Sequence, residues 1–335
     1  MTSAALEPEW LSAAAEAEAP GSNEQLLSID CSSPGADCDV QQVMSFPSIF
    51  LLQLDKPALE YRGPRRAAAM LHFVARKARP IVSEGLDAEA LARFKTADET
   101  VFIAYVGEDR AAAEMFADAA RAYSDEFTFG TVIDSGVIET QGMEPPAVVC
   151  YKLVDGDTAV LKEIKGAHEL DAWIMEASRP VLGELTVLNQ KRLLDRGFPM
   201  VYLFAETESH RQRLRKTLYK FARNYYDSLT SVVVDPFQFP ELMAKLGLEP
   251  GVFPAGAVHQ LFKDRIYPYP KGRPFSANAV QQWGMDVYQG RIKPWTPPGV
   301  TTTYEDLGPT RAAARKVSIP SIPGVKIKIA GHDEL

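Results

Sequence analysis

Three cysteines and five histidines carry most of the nucleophilic and metal-ligating chemistry open to this 335-residue chain, and their spacing narrows it. Cys31 and Cys38 enclose six residues. A loop that short can close a bridge if the two Cα atoms come within about 7 Å, and a regulatory redox pair is the alternative. Cys150 lies between Val149 and Tyr151 in an apolar run, where a free thiol behaves as a small buried apolar group. No Cys-x-x-Cys pair occurs in the chain, so it carries no adjacent resolving thiol of the kind that releases a trapped mixed disulfide. His72, His168, His210, His259 and His332 stand neither at i, i+4 from one another nor beside a nucleophile, which points to surface or capping roles. Paired Cys/His spacing is lacking, which argues against zinc. Gly247, Gly251 and Gly256 fall around turns and a strand rather than at a helix start, so no phosphate-cradling loop is formed. Neither a metal nor a cofactor is expected.

The elements that would position these residues recur in one order. In the middle of the chain an apolar strand over 99–106 precedes an Ala-rich helix over 111–124, with Met115, Phe116, Ala119 and Ala120 at helical spacing. A strand over 127–132 follows, then a Pro-led strand over 145–151, a strand over 160–164 and a closing helix over 168–177. The order repeats with strand 199–204, helix 206–226, strand 229–234, a short helical stretch near 241–246, strands over 253–258 and 264–267, and helix 278–289. The opening segment has only the later half: helix 8–19, strand 26–30, an apolar run over 45–52, strand 58–61 and helix 65–75. Alternating strands and helices with a hairpin after each proline predict an α/β class with mixed sheets. Proline lacks the N–H that a central ladder needs, so each Pro-led strand begins at its proline. An X–Pro bond is trans by default, and the threefold recurrence at one position weakens that default.

Forty-four acidic against 36 basic residues leave a net charge of −8, which argues against a nucleic-acid partner. The basic cluster over 211–220 reads as the solvated face of a helix. No apolar run approaches the roughly 20 residues needed to cross a bilayer, so no membrane span is expected. Length and an apolar fraction of 46% predict two or three globular domains. The last residues, His332, Asp333, Glu334 and Leu335, match an address by which a receptor retrieves proteins to the endoplasmic reticulum. Residues 1–30 show no basic start followed by an apolar run of the secretory type. Together these predict a chain that lacks an N-terminal piece, with an accidental match to the address as the alternative.

The strings Phe46-Pro47-Ser48, Pro146-Ala147-Val148-Val149, Gly183-Glu184-Leu185-Thr186, Tyr202-Leu203-Phe204-Ala205-Glu206-Thr207, Phe253-Pro254-Ala255 and Gly290-Arg291-Ile292-Lys293-Pro294 resemble a fungal member of the protein disulfide isomerase family, over residues 1 to about 299. The resemblance implies tandem thioredoxin-like domains, each a central mixed sheet flanked by helices. Residues 1–79 would be the C-terminal half of a catalytic-type domain, 80–181 a non-catalytic domain, 182–294 the substrate-binding domain and 295–335 a tail. It places Pro47, Pro146 and Pro254 at cis-proline positions and makes Cys31 and Cys38 a structural disulfide. It projects Tyr202, Phe204, Leu218 and Val232 onto an apolar pocket for unfolded or misfolded client polypeptides; plain core is the competing reading of all four. Trp295 would cap that cleft. The departures are equally specific: the second cysteine of the family's catalytic pair would fall at Ser3 and the first before Met1, and the family's fourth, catalytic domain is replaced by a short tail containing Pro309, Pro320 and Pro323.

The resemblance implies a protein of the endoplasmic reticulum lumen that assists folding, in this form chiefly a redox-inactive chaperone, with the retrieval receptor as a further partner. One alternative is an active disulfide isomerase whose Cys-x-x-Cys lies upstream of Met1. Another is an acidic calcium buffer or scaffold, which the scattered rather than clustered carboxylates disfavour.

Overall fold

The computed structural model describes residues 2–18, 25–31, 43 and 46–298. Within them lie three sheets, of two, five and five strands. The second unit shows most plainly why the chain folds as it does. Its elements are β3 (Val82–Ser83), α3 (Ala88–Phe94), β4 (Thr100–Tyr105), α4 (Arg110–Tyr123), β5 (Thr128–Val132), α5 (Ser135–Thr140), β6 (Ala147–Lys152), β7 (Asp157–Leu161) and α6 (Ala167–Ala177); residues of the preceding segment form α1 (Thr2–Ala17), β1 (Phe50–Leu51), β2 (Leu59–Glu60) and α2 (Ala67–Ala78). The strand order is β3-β5-β4-β6-β7. The central strand β4 pairs in parallel with β5 and antiparallel with β6, so both its faces are covered and Val101 through Tyr105 are inaccessible to solvent. A strand buried on both faces reads as a continuous apolar run rather than an alternating one, which is why this segment stands out in the sequence. Two helices of this unit start where a carboxylate accepts from a free N–H of the first turn: Asp109 caps α4 at Ala112 (2.9 Å) and Asp134 caps α5 at Val137 (2.8 Å).

The third unit repeats the design with β8 (Gly183–Glu184), α7 (Gln190–Asp195), β9 (Met200–Phe204), α8 (Glu208–Asn224), β10 (Thr230–Val234), α9 (Leu242–Lys245), β11 (Ala255–Gln260), β12 (Arg265–Pro268) and α10 (Ala277–Tyr288). Its order, β12-β11-β9-β10-β8, is that of the second unit read from the other edge. Each five-stranded sheet has one core cluster per face. In the second unit Phe102, Phe116, Phe129 and Leu170 lie on one side and Leu91, Ile103, Val132 and Ile138 on the other. The mixed α/β architecture therefore matches the expected fold class.

The first unit is different. Among the described residues its sheet is a two-residue antiparallel pair, Phe50↔Glu60 and Leu51↔Leu59, and α1 packs with α2 around Leu6, Ala13, Ala67 and Met70. The strand expected at 26–30 is absent: residues 25–30 are described but irregular. The physical reason is missing pairing. By position after α1 this segment corresponds to β5 and β10, which are held by the central strands β4 and β9, and no such strand is described in the first unit. A two-stranded hairpin alone is marginal in water, in keeping with the shortness of β1 and β2.

The peptide bonds Phe46–Pro47, Pro145–Pro146 and Phe253–Pro254 are all cis, and each lies just before the first strand of a hairpin, at the corresponding point of its unit. Phe129 anchors the second core, stacked on Phe102 with centroids 5.3 Å apart and meeting Phe116 edge-on at 5.6 Å. Phe129→Ala is expected to cost about 3–5 kcal/mol through the cavity it leaves, read as a lowered urea midpoint with the slope unchanged.

Candidate functional site

The thiols come first, because they set what chemistry is open. Cys150, in β6, is fully buried and free. Its Sγ donates to the carbonyl of Ala177 at 3.5 Å, and burial pushes its thiol up to about 12, far from the thiolate that exchange requires. Cys31 is disulfide-bonded; Cys38 lies outside the described residues, as do His332, Asp333, Glu334 and Leu335. No group of three or more His, Cys, Asp or Glu side chains able to hold a metal occurs among the described residues.

The four residues expected to line one apolar pocket are not brought together. Tyr202, Phe204 and Val232 share a cluster with Leu185, Met200 and Met243, whereas Leu218 lies on the opposite sheet face with Val201, Leu203 and Val233. Strand alternation explains the split: Val201 and Leu203 point toward α8, and Tyr202 and Phe204 point away from it. All four are at most 4% exposed, and burial raises the Tyr202 hydroxyl to about 12. What reaches the surface of that cluster is its rim, where Phe239, Leu242 and Phe253 are half-buried. Trp295, expected as a cap, donates its main-chain N–H to the Ile266 carbonyl at 2.7 Å. Its indole lies over Gly247, where an added Cβ would sit 2.5 Å from the ring and the backbone holds φ +69°. Only glycine fits both conditions.

The cavity at the meeting of the three units, about 1010 Å³, is walled by residues from all of them, among them Arg66, Asp98, Glu99, Glu184, Arg192 and Arg215. Arg66, preceding α2, forks onto both carboxylate oxygens of Glu99 beside β4 and holds its Nε 3.4 Å from Oε2 of Glu184 in β8. Arg215 on α8 donates to that same oxygen at 2.6 Å and to Glu208 at 2.9 Å. Arg211 donates to the other Glu208 oxygen at 3.0 Å. Glu208, Arg211 and Arg215 fall at i, i+3 and i+7, one stripe of α8 turned inward. The cluster over 211–220 is thus not wholly a solvated face: Arg211 is only 3% exposed. The reason is that a charged helix stripe takes the buried side when carboxylates of neighbouring elements face it.

Burial pushes the Glu184 carboxyl up, with Arg215 and Arg66 opposing, and its second oxygen has no hydrogen-bond partner, although Arg211 Nε stands 3.8 Å away. At Glu99 burial also pushes upward, but the hydrogen bond and charge of Arg66 outweigh it and hold the carboxyl below its ordinary range. Further pairs tie the same faces: Arg76 to Asp98 at 2.9 Å between the first and second units, and Arg192 to Glu126 at 2.9 Å between the second and third. The arrangement supplies matched opposite charges and no nucleophile, so its chemistry is that of a clamp. Sequence reasoning missed it; the available signal was Glu184, a carboxylate inside the apolar run Val181–Leu185.

Comparison with known proteins gives concordant findings. A family model of the thioredoxin-like domain matches residues 107–286. The chain is similar to the protein disulfide-isomerase of Aspergillus niger, 26% identical over 291 residues, which are 87% of this chain and 56% of that protein. It is 28% identical to that of Humicola insolens, over 87% of this chain and 57% of that one. The chain thus spans just over half the length of these relatives. The crystal structure of the bb fragment of ERp72 superposes with a TM-score of 0.51 at 16% identity, over 64% of this chain and 100% of that fragment, a likeness of fold. No described helix is long and apolar enough to cross a membrane.

Two substitutions test the clamp. Arg66→Met leaves Glu99 and Glu184 without their shared cation and is expected to cost about 3 kcal/mol in urea denaturation at neutral pH. Because the folded Glu99 carboxyl is held below its ordinary 4.5, the stability it lends is present above that value and lost as pH falls through the lowered one. The difference in thermal midpoint between the parent chain and Glu99→Gln should therefore be full at pH 7 and shrink on acidification.

Proposed function

Since the chain belongs to the family of thioredoxin-like proteins that includes the fungal protein disulfide-isomerases, we propose that it assists folding by holding non-native polypeptides, without dithiol–disulfide exchange of its own. The observation that carries this reading is the apolar surface of the first unit, where Leu11, Leu27, Ile29, Leu52 and Leu54 are each at least 60% exposed. Leu27, Ile29 and Leu52 border one groove with Trp10 and Phe50, and a large exposed apolar patch of that kind marks an interaction site rather than ordinary exterior. The lack of Cys-x-x-Cys and the buried, high-pKa thiol of Cys150 support the redox-inactive part.

Clients would also meet the third unit at the rim formed by Phe239, Leu242 and Phe253, above the buried Tyr202, Phe204 and Val232. Burial of apolar area drives such binding at about 25 cal/mol per Å², which suits transient holding of many sequences. The proposed setting is the endoplasmic reticulum lumen, with His332, Asp333, Glu334 and Leu335 as the retrieval signal, and the proposed domains are 1–79, 80–181 and 182–294 with a tail over 295–335. A structural bridge between Cys31 and Cys38 belongs to the same reading.

Light scattering of a heat-unfolding client enzyme, with and without the chain, is the direct test, run beside insulin reduction in glutathione buffer. Suppressed scattering with background reduction is the expected result, unchanged after alkylation with iodoacetamide. Unsuppressed scattering would remove the holding role, and insulin reduction above background would remove the redox-inactive part.

A further inference from the structure

The cavity at the meeting of the three units holds the clamp, and its wall also carries polar groups that the clamp does not use. Among the described residues its other cations are matched by carboxylates. Arg62 pairs with Glu60, Arg76 with Asp98, Lys152 with Asp155 and Arg192 with Glu126, beside the Arg66 and Arg215 pairs already described. Lys216 is the exception. It is exposed on α8 and lines the cavity, so it stands at the mouth. Among the described residues it makes no hydrogen bond or ion pair.

At the floor lies Glu184, with 4% of its side chain exposed. Its Oε2 faces Arg66 and Arg215, and its Oε1 has no hydrogen-bond partner. A buried acceptor left without a donor bears its full desolvation cost, and a ligand that brings a donor recovers it. His72 Nδ1 on α2 is also buried and unpartnered, 3.6 Å from Oδ1 of Asp98, and it donates or accepts according to tautomer. Between these groups the wall is partly apolar: Val154 and Leu188 are exposed, and Tyr219 is half-buried. Single waters could answer each polar atom. The cavity, about 1010 Å³, nevertheless far exceeds the roughly 30 Å³ share of one water and reaches the upper end of ligand-pocket sizes.

We propose that this cavity binds an acidic segment of a non-native polypeptide, with a carboxylate on Lys216, a main-chain N–H on Oε1 of Glu184 and neighbouring apolar side chains against Val154, Leu188 and Tyr219. The ligand's chemistry follows from the groups left over. A simple anion would meet Lys216 but brings no donor for Glu184, and a neutral apolar segment would leave Lys216 unpaired. A peptide unit beside an Asp or Glu supplies both, and its carbonyl is open to His72. Because Lys216 is exposed, its pairing adds selectivity more than affinity. The inference rests on the client-holding reading and gives it a second site, apart from the apolar surface of the first unit.

The probe is a fluorescent, terminally blocked pentapeptide with one Glu between leucines, titrated against the full chain by anisotropy beside its Gln counterpart. The Glu peptide should bind about threefold more tightly, the worth of one exposed charge pair. Lys216→Ala should erase that difference by weakening the Glu peptide alone, and Lys216→Arg should keep it. Replacing each amide of the Glu peptide in turn by an ester removes one N–H and keeps the side chains. One of these esters should bind about tenfold more weakly, the loss of a hydrogen bond to a charged acceptor. The esters leave the protein untouched, so they probe the Glu184 contact without disturbing the clamp. Equal binding of the Glu and Gln peptides, a Glu peptide indifferent to Lys216→Ala, or equal binding of all the esters would each overturn the proposal. Displacement of the peptide by an equal concentration of N-acetylglutamate would give the cavity to a small ligand instead. A chain that suppresses client aggregation yet binds neither peptide overturns the site while client holding stands. Failure of both peptide binding and aggregation suppression removes the wider reading as well.

Discussion

A carboxylate with 4% of its side chain exposed cannot remain charged without cations around it, and Glu184 recruits them from two directions. Arg66 comes from the first unit and Arg215 from the third, and Arg66 carries Glu99 of the second with it. Desolvating each ion costs several kcal/mol, repaid only when the geometry is well matched. Such a cluster is poor at adding stability and good at rejecting misalignment, because any sliding of one unit strands a charge. The relative placement of the three units is therefore tied to this junction.

Within each unit the governing constraint is the central strand. Among the described residues β4 and β9 are the only strands that touch both a parallel and an antiparallel neighbour, and the rest of each five-stranded sheet is arranged around them. Where the described residues lack that strand, the consequences are local and consistent: a two-residue hairpin, a segment over 25–30 that does not extend, and apolar side chains left half in solvent. The helices α1 and α2 tolerate the lack better because they pack on each other through Leu6, Ala13, Ala67 and Met70.

Much of this was legible in the residues. The doubly covered strands announce themselves as unbroken apolar runs, and the prolines mark each hairpin. Short edge strands were not legible: β3 and β8 are two residues each, and two residues carry no period. The strand expected at 26–30 has the right residues, and its state is decided by a partner that lies elsewhere. Leu218 was grouped with Tyr202 and Phe204 because spacing places residues on elements but does not say which sheet face a helix will cover. The ionic junction was hidden because a charge run on a helix looks the same whether water or a carboxylate faces it; only Glu184, out of character in its apolar surroundings, betrayed it.

The sulfur of Cys150 lies sealed beneath α6, with its Sγ held by the Ala177 carbonyl. Among the described residues it is the only free thiol. A small alkylating reagent can reach it only when the second unit opens, so its labelling rate is a built-in stopwatch for the breathing of that unit. The chain thus carries its own reporter of local unfolding, placed where no probe would need to be engineered.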